Sequence, residues 1–299
     1  MEKNTYYAAI LTLYDNQNKI DEQKMRDYIQ FLISKGVKGF FPCGTSGEYV
    51  GNTSEENLGL LKIVLDENKG IKPIIPCAST SNLRETVDLI KKMEGYGVKE
   101  VSVCPPYYTP LKQRDIYDYY KQIINETSVN IYLYNIPTFT NPLEFETFER
   151  LLVEPRIVGI KDSSGNMKSI SRYITVKNNV KPDFKVMTGT DEIILPALVT
   201  GCYGSVSALS GIIPEVHNEL YKSYESDLGY ARTIQNEITN LAIKCESVVF
   251  PVGYKFALSA RGFNVEPYKQ NICENQTFIE NLKIDIKDSI MRLEKIIER

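Results

Sequence analysis

Apolar residues along this chain recur with two periods that take turns. Short apolar runs closed by polar turns read as buried strands. Stretches with apolar residues three and four apart read as helices packed by one face. Tyr7 to Thr12 is the first such run, and a turn holding Asp15, Asn16 and Asn18 follows it. Asp21 is placed to N-cap an amphipathic stretch reaching about Lys35, because a carboxylate there accepts from unsatisfied N–H groups of the first turn. Gly39 to Pro42 reads as a short strand, with Gly44 to Glu48 as its loop. Thr53-Ser54-Glu55-Glu56 is a capping box that opens a helix to about Asn68. Lys72 to Cys77 is the next strand, and Asn82 with Glu85 starts a helix ending near Gly95-Tyr96-Gly97.

The alternation then repeats. Strands are expected at Glu100–Cys104, Asn130–Tyr134, Ile157–Lys161, Phe184–Thr188 and Gly204–Ser207. Helices are expected at 113–125, 143–153, 169–178 and 191–200. That makes eight strand–helix units in about 225 residues, with no linker or low-complexity stretch between them. Such alternation implies an α/β fold with a parallel sheet. Eight units most simply close into a (β/α)8 TIM barrel over residues 1–225. Helical patterns at about 230–245, 252–260 and 276–297 make 226–299 a C-terminal helical region packed on it. An open doubly wound sheet is the alternative. It favours a glycine-rich dinucleotide loop after the first strand, and Leu11-Thr12-Leu13-Tyr14-Asp15 is not one.

Composition narrows the function. With 299 residues, 42% hydrophobic and 24% charged, the chain has material for one large core. A net charge of −3 and no lysine–arginine block argue against nucleic acid as a partner. No apolar run reaches the length of a membrane span, and Met1-Glu2-Lys3-Asn4-Thr5 does not open a secretory signal. The six cysteines form no C-x-x-C pair, and His217 is the only histidine, so a zinc site has no support and no metal is expected. Cys43, Cys77 and Cys104 sit in or just after apolar runs, as buried thiols of a reduced cytoplasmic protein do.

Candidate chemistry gathers in the loops that a barrel would carry on one rim. Ile157-Val158-Gly159-Ile160 ends on a lone lysine, Lys161, and the polar loop Asp162–Asn166 follows at once. A lysine at the C-terminal end of a barrel strand can lose solvation, lower its pKa and act as a nucleophilic amine. The alternative is a strand-end lysine that reaches water or a carboxylate. Thr45, Ser46 and Gly47 offer hydroxyls and N–H groups suited to a carboxylate, although read alone the segment is also a plain turn. Tyr134 stands immediately before Asn135-Ile136-Pro137 and is either a proton shuttle or a packed ring. Asp191 and Glu192 follow Gly189-Thr190. They suit either sugar hydroxyls or the first turn of a helix capped by Thr190. His217 lies among Glu215, Val216 and Asn218 in a helical pattern and is read as structural.

Gly44–Glu48 (G-T-S-G-E), Tyr134–Pro137 (Y-N-I-P), Gly159–Gly165 (G-I-K-D-S-S-G) and Gly189–Glu192 (G-T-D-E) follow one another in this order between residues 44 and 192. Together they resemble the class I pyruvate-dependent aldolases of the dihydrodipicolinate synthase and N-acetylneuraminate lyase superfamily. The resemblance implies a covalent imine of pyruvate at Lys161 and no other cofactor. It gives the carboxylate to Thr45, Ser46 and Gly47, and proton movement to Tyr134. Tyr108, from Pro105-Pro106-Tyr107-Tyr108, would reach a neighbouring subunit's site in a homotetramer. Gly189, Asp191, Glu192, Val206 and Phe139 are the further substrate-binding candidates, facing a small keto acid and an aldehyde.

Departures order the candidates within the superfamily. Dihydrodipicolinate synthases usually carry an arginine two residues after the proline of the Y-N-x-P motif, where this chain has Phe139. A phenyl ring cannot make the bidentate carboxylate contact of a guanidinium. A serine that neuraminate lyases use is replaced near Ala208. The expected order is therefore a 2-keto-3-deoxy sugar-acid aldolase, then neuraminate lyase, then dihydrodipicolinate synthase, with a dehydratase using the same imine as a further alternative and a non-catalytic keto-acid-binding barrel last.

Overall fold

A computed structural model describes residues 4–298. Among them, seven strands alternate with helices. The strands are β1 Thr5–Ala9, β2 Phe40–Phe41, β3 Glu100–Val103, β4 Asn130–Asn135, β5 Ile157–Asp162, β6 Lys185–Thr188 and β7 Gly204–Ser207. The α-helices are α1 Glu22–Ser34, α2 Ser54–Asn68, α3 Leu83–Gly95, α4 Gln113–Glu126, α5 Phe145–Leu152 and α6 Met167–Val180. They continue with α7 Ile194–Thr200, α8 Pro214–Ser223, α9 Leu228–Cys245, α10 Val252–Ser259 and α11 Gln276–Ile297. The helices begin where the sequence carries caps. Asp21 accepts from the Lys24 N–H, Thr53 and Glu56 close a reciprocal capping box, and Asn82 accepts from the Glu85 N–H. Each such cap contributes about 1 kcal/mol.

One expected strand is missing as a strand. Lys72 to Cys77 makes only an isolated parallel bridge, Cys77 opposite Ser102. Pro73 and Pro76 are the reason: each lacks the N–H that a ladder needs. Their carbonyls still serve, with Pro73 O accepting from the Phe40 N–H at 2.9 Å and Pro76 O from the Ser102 N–H at 2.8 Å. The first strand also sits earlier than expected, at Thr5–Ala9 instead of Tyr7–Thr12. The seventh expected helix starts at Ile194, behind a 3-10 turn at Asp191–Ile193.

The chain divides into two compact units. The first is essentially Ile74–Val206. Its strands lie parallel in the order β7-β6-β5-β4-β3. From Ile131 to Asn135 and from Gly159 to Asp162 every residue is buried, as parallel strands covered on both faces require. The register sets Tyr134 beside Lys161 and Asn135 beside Asp162. Phe145, Phe148, Tyr173 and Phe184 stack into an aromatic cluster under α5 and α6.

The second unit comprises Tyr6–Pro73 and the chain from Ser207 onward. Here β1 pairs with β2 in parallel, and α8, α9, α10 and α11 pack on one another. His217, in α8, is fully buried and stands 3.1 Å from the Ile213 carbonyl through Nδ1. Five cysteines are buried, Cys273 is exposed, and all six are free thiols. Among the described residues no helix is long and apolar enough to cross a membrane.

Candidate active site

Lys161 ends the apolar part of β5, and its side chain is 4% exposed. The ammonium lies 4.1 Å from the ring centroid of Tyr134, which is itself 1% exposed. Burial disfavours the charged amine and pushes it down to about 7, while Cys77, Asp191 and Cys104 pull the other way. Near neutral pH a large fraction of Lys161 is therefore a free amine with its lone pair available. Burial pushes the neighbouring Cys77 thiol up to about 12, so it stays protonated.

The backbone around Lys161 is fixed by a buried polar lattice. Asp162 is fully buried and accepts from Asn135 Nδ2 at 2.7 Å, the Ser164 N–H at 3.0 Å and Ser164 Oγ at 2.5 Å. Asn135 Oδ1 in turn accepts from the Leu143 N–H at 3.0 Å. The Ser163 N–H donates to Asn135 O at 2.8 Å, and the Gly189 N–H to Asp162 O at 2.7 Å. These bonds tie the ends of β4, β5 and β6 together just where Tyr134 and Lys161 emerge. Gly189 has a steric role here. A Cβ on it would stand 1.9 Å from Ser163 Oγ and 2.9 Å from Lys161 Cε.

The remaining candidates of this unit spread outward. Asp191 is 4% exposed in its 3-10 turn, and Glu192 beside it is half-buried. Thr190 occupies the N-cap position of that 3-10 turn and the acids lie in its first turn, but the side-chain cap that one reading expected is not made, and α7 begins behind Ile193. Val206 is fully buried on β7. Phe139 is 55% exposed on the turn after β4, where its N–H donates to Ile136 O at 3.0 Å. Tyr108 is fully exposed, with φ at 75°.

Thr45, Ser46 and Gly47 belong to the second unit. They form a tight turn in which the Gly47 N–H donates to Gly44 O at 3.0 Å and the Glu48 N–H to Thr45 O at 2.9 Å. Gly47 O accepts from Thr12 Oγ1 at 2.7 Å. The Gly47 N–H thus already serves the turn, whose hydroxyl groups are those of Thr45 and Ser46. Sequence reasoning missed Asp162, Asn135 and Ser163 as supports of Lys161. The signal for the first two was their place next to Lys161 and Tyr134 in the same two motifs.

Lys161, Tyr134, Asp191, Cys77 and Cys104 form a site of one reactive amine, one phenol, one carboxylate and two thiols. Such a set suits imine formation with a ketone, because the amine attacks as a free base and an acid–base group lies close by.

The model of the dihydrodipicolinate synthetase family matches residues 3–279. A 4-hydroxy-tetrahydrodipicolinate synthase of Oleidesulfovibrio alaskensis is 34% identical over 260 residues, 85% of this chain and 87% of the relative. The crystal structure of a dihydrodipicolinate synthase from Bacillus anthracis superposes with a TM-score of 0.89 at 25% identity, covering 97% of this chain and 98% of that one. A prophage protein of the dihydrodipicolinic acid synthase family from E. coli K12, solved with pyruvate, shares the fold at a TM-score of 0.88 and 22% identity, over 98% and 99% of the two chains.

Proposed function

The chain belongs to the dihydrodipicolinate synthetase family, and within it we propose a Schiff-base enzyme that joins or cleaves pyruvate and an aldehyde at Lys161. Its class, a pyruvate-dependent enzyme acting on carbon–carbon bonds, follows from the family. The observation that carries the rest is a buried lysine pushed down to about 7 against the Tyr134 ring. The free amine attacks the pyruvate C2 carbonyl, and water leaves as the imine forms. The protonated imine withdraws electrons, so a C3 proton departs and leaves an enamine. The enamine carbon adds to the aldehyde carbonyl, and hydrolysis frees the product and the lysine. Run backwards, the same steps cleave a 2-keto acid.

Tyr134 is assigned the proton transfers, supported by its contact with Lys161. Thr45, Ser46 and Gly47 are assigned the pyruvate carboxylate on the strength of the Gly44–Glu48 motif. Gly189, Asp191, Glu192, Val206 and Phe139 are assigned to the second substrate, and Tyr108 to a subunit contact in a homotetramer. The fold assignment is a (β/α)8 barrel over 1–225, with Lys72–Cys77 as its proline-limited third strand and a helical region after it. Location in the cytoplasm goes with this reading.

For the aldehyde, aspartate semialdehyde comes first, because the curated relative named above is a 4-hydroxy-tetrahydrodipicolinate synthase. This reverses the order that the sequence motifs gave. Phe139 supports the second reading, a 2-keto-3-deoxy sugar acid, since an exposed phenyl stands where a carboxylate-binding arginine is usual. Condensation of pyruvate with aspartate semialdehyde, run beside cleavage of 2-keto-3-deoxygluconate and N-acetylneuraminate, decides between them. Turnover only in the condensation establishes the synthase, and turnover only on the sugar acid establishes the aldolase. Lys161→Ala turnover equal to wild type in every assay sinks both.

A further inference from the structure

A second lysine of this chain is buried more completely than Lys161. Lys255 lies in α10 and is fully buried, within a stretch whose residues Val252 to Leu258 are all buried. It forms an ion pair with Glu48, 7% exposed, the last residue of the Gly44–Glu48 motif. Its ammonium also lies 4.7 Å from the ring centroid of Tyr14. Burial lowers the pKa of Lys255, and the Glu48 carboxylate opposes that shift. Nothing in the imine chemistry uses this pair.

The backbone at both ends of the pair is fixed. A Cβ on Gly253 would stand 1.9 Å from Cys245 O, so α10 rests directly on the end of α9. Lys255 therefore projects from a rigid platform. At the other end, Glu48 has φ at 58°, the left-handed region, which is unfavourable for a residue with a Cβ. Its N–H closes the turn onto Thr45 O at 2.9 Å. A strained residue persists where its surroundings over-determine it, and the Glu48 side chain is held in the buried ion pair to Lys255. Around it, Tyr14 OH donates to Asn52 Oδ1 at 3.2 Å and Lys269 Nζ to the same oxygen at 2.6 Å. Asn52 Nδ2 reaches Gly47 O at 3.4 Å.

We propose that the buried Glu48–Lys255 pair is the positioning element of the Thr45–Ser46–Gly47 turn, holding Glu48 in its left-handed conformation and the turn's hydroxyls in their carboxylate-binding arrangement. This rests on the reading of that turn as the pyruvate carboxylate site. Neither residue touches substrate. Removing the pair loosens the turn and weakens recognition of the carboxylate, while the amine chemistry of Lys161 continues.

The test compares two ketones that differ in the carboxylate. Pyruvate and hydroxyacetone are each trapped on Lys161 with borohydride at low concentration, and the ratio of labelling rates is taken. In Lys255→Met the ratio falls about tenfold, equivalent to ~1.4 kcal/mol, and hydroxyacetone labelling changes little. The neutral double variant E48Q/K255M, which leaves no orphaned buried charge, shows the same fall and keeps the fold if the single variant does not. Equal loss with both ketones, or an unchanged ratio, overturns the proposal and leaves the pair a stability element only. Failure of pyruvate to label wild-type Lys161 instead sinks the reading of the active site on which the proposal rests.

Discussion

Two buried lysines, one in each compact unit, show how the same side chain becomes a reagent or a fastener. Lys161, at the end of β5, faces an aromatic ring at 4.1 Å and has its pKa pushed down to about 7. Lys255, in α10, is fully buried but meets the Glu48 carboxylate in an ion pair. Desolvation acts on both and lowers both. The partner decides the outcome. At Lys255 the carboxylate opposes the loss of the proton and ties two elements together. An amine held by burial against a phenol ring gives the proton up near neutrality and has a lone pair to use.

The largest effect that tests this contrast is on turnover. Lys161→Ala should lose at least ~10³-fold in kcat, the scale of losing a covalent nucleophile, whereas Lys255→Met should keep most of its activity at saturating pyruvate. Steady-state assays on both variants check it. The two should then trade places in stability. Lys255→Met leaves Glu48 buried without its counter-charge and should lose about 3–5 kcal/mol in a urea titration. E48Q/K255M should recover most of that, and Lys161→Met should lose nothing.

The pH dependence sharpens the contrast. The amine of Lys161 titrates near 7 in the folded chain and at the ordinary lysine value, about 10.4, in the unfolded one. Between those values the unfolded state binds the extra proton, so the Lys161 contribution to stability rises as pH rises through this window. Below about 7 both states are protonated and that gain is gone. The difference in melting temperature between wild type and Lys161→Met should therefore move in favour of wild type from pH 7 to 10. A flat difference contradicts the shift.

Tyr134→Phe comes next. It keeps the ring against Lys161 but removes the hydroxyl, and kcat should fall about 10²-fold, within the usual range for a lost proton-transfer group. The smallest effect is on fit. Gly189→Ala would press on Ser163 Oγ and Lys161 Cε and should cost about 1–3 kcal/mol as overpacking, read as a lower melting temperature together with slower imine formation.

Much of this was legible in the chain because it is written locally. The capping box at Thr53 and Glu56, the N-cap at Asp21 and the bounds Gln276–Ile297 of the last helix depend on neighbours in sequence. Lys161 announced itself as a lone lysine closing an apolar run. Lys255 carries a similar signal, a single lysine inside Val252–Leu258, but in the sequence it reads only as part of a helical pattern. Its partner Glu48 is some two hundred residues away in sequence, and no periodicity reports a pairing at that distance. Lys72–Cys77 misled for the opposite reason: its apolar pattern is that of a strand, but Pro73 and Pro76 remove the donors that pattern assumes. The buried lattice of Asp162 and Asn135 was hidden because short polar residues after a strand read equally well as a solvated loop.

The contrast between the two lysines is tested most directly by borohydride reduction of the wild-type protein with pyruvate across pH 5 to 9, with the modified residue located by peptide mass mapping. A single reduced pyruvyl adduct on Lys161, its rate rising through about pH 7 as the amine is freed, is the expected result. An adduct on Lys255, or no adduct anywhere, contradicts it.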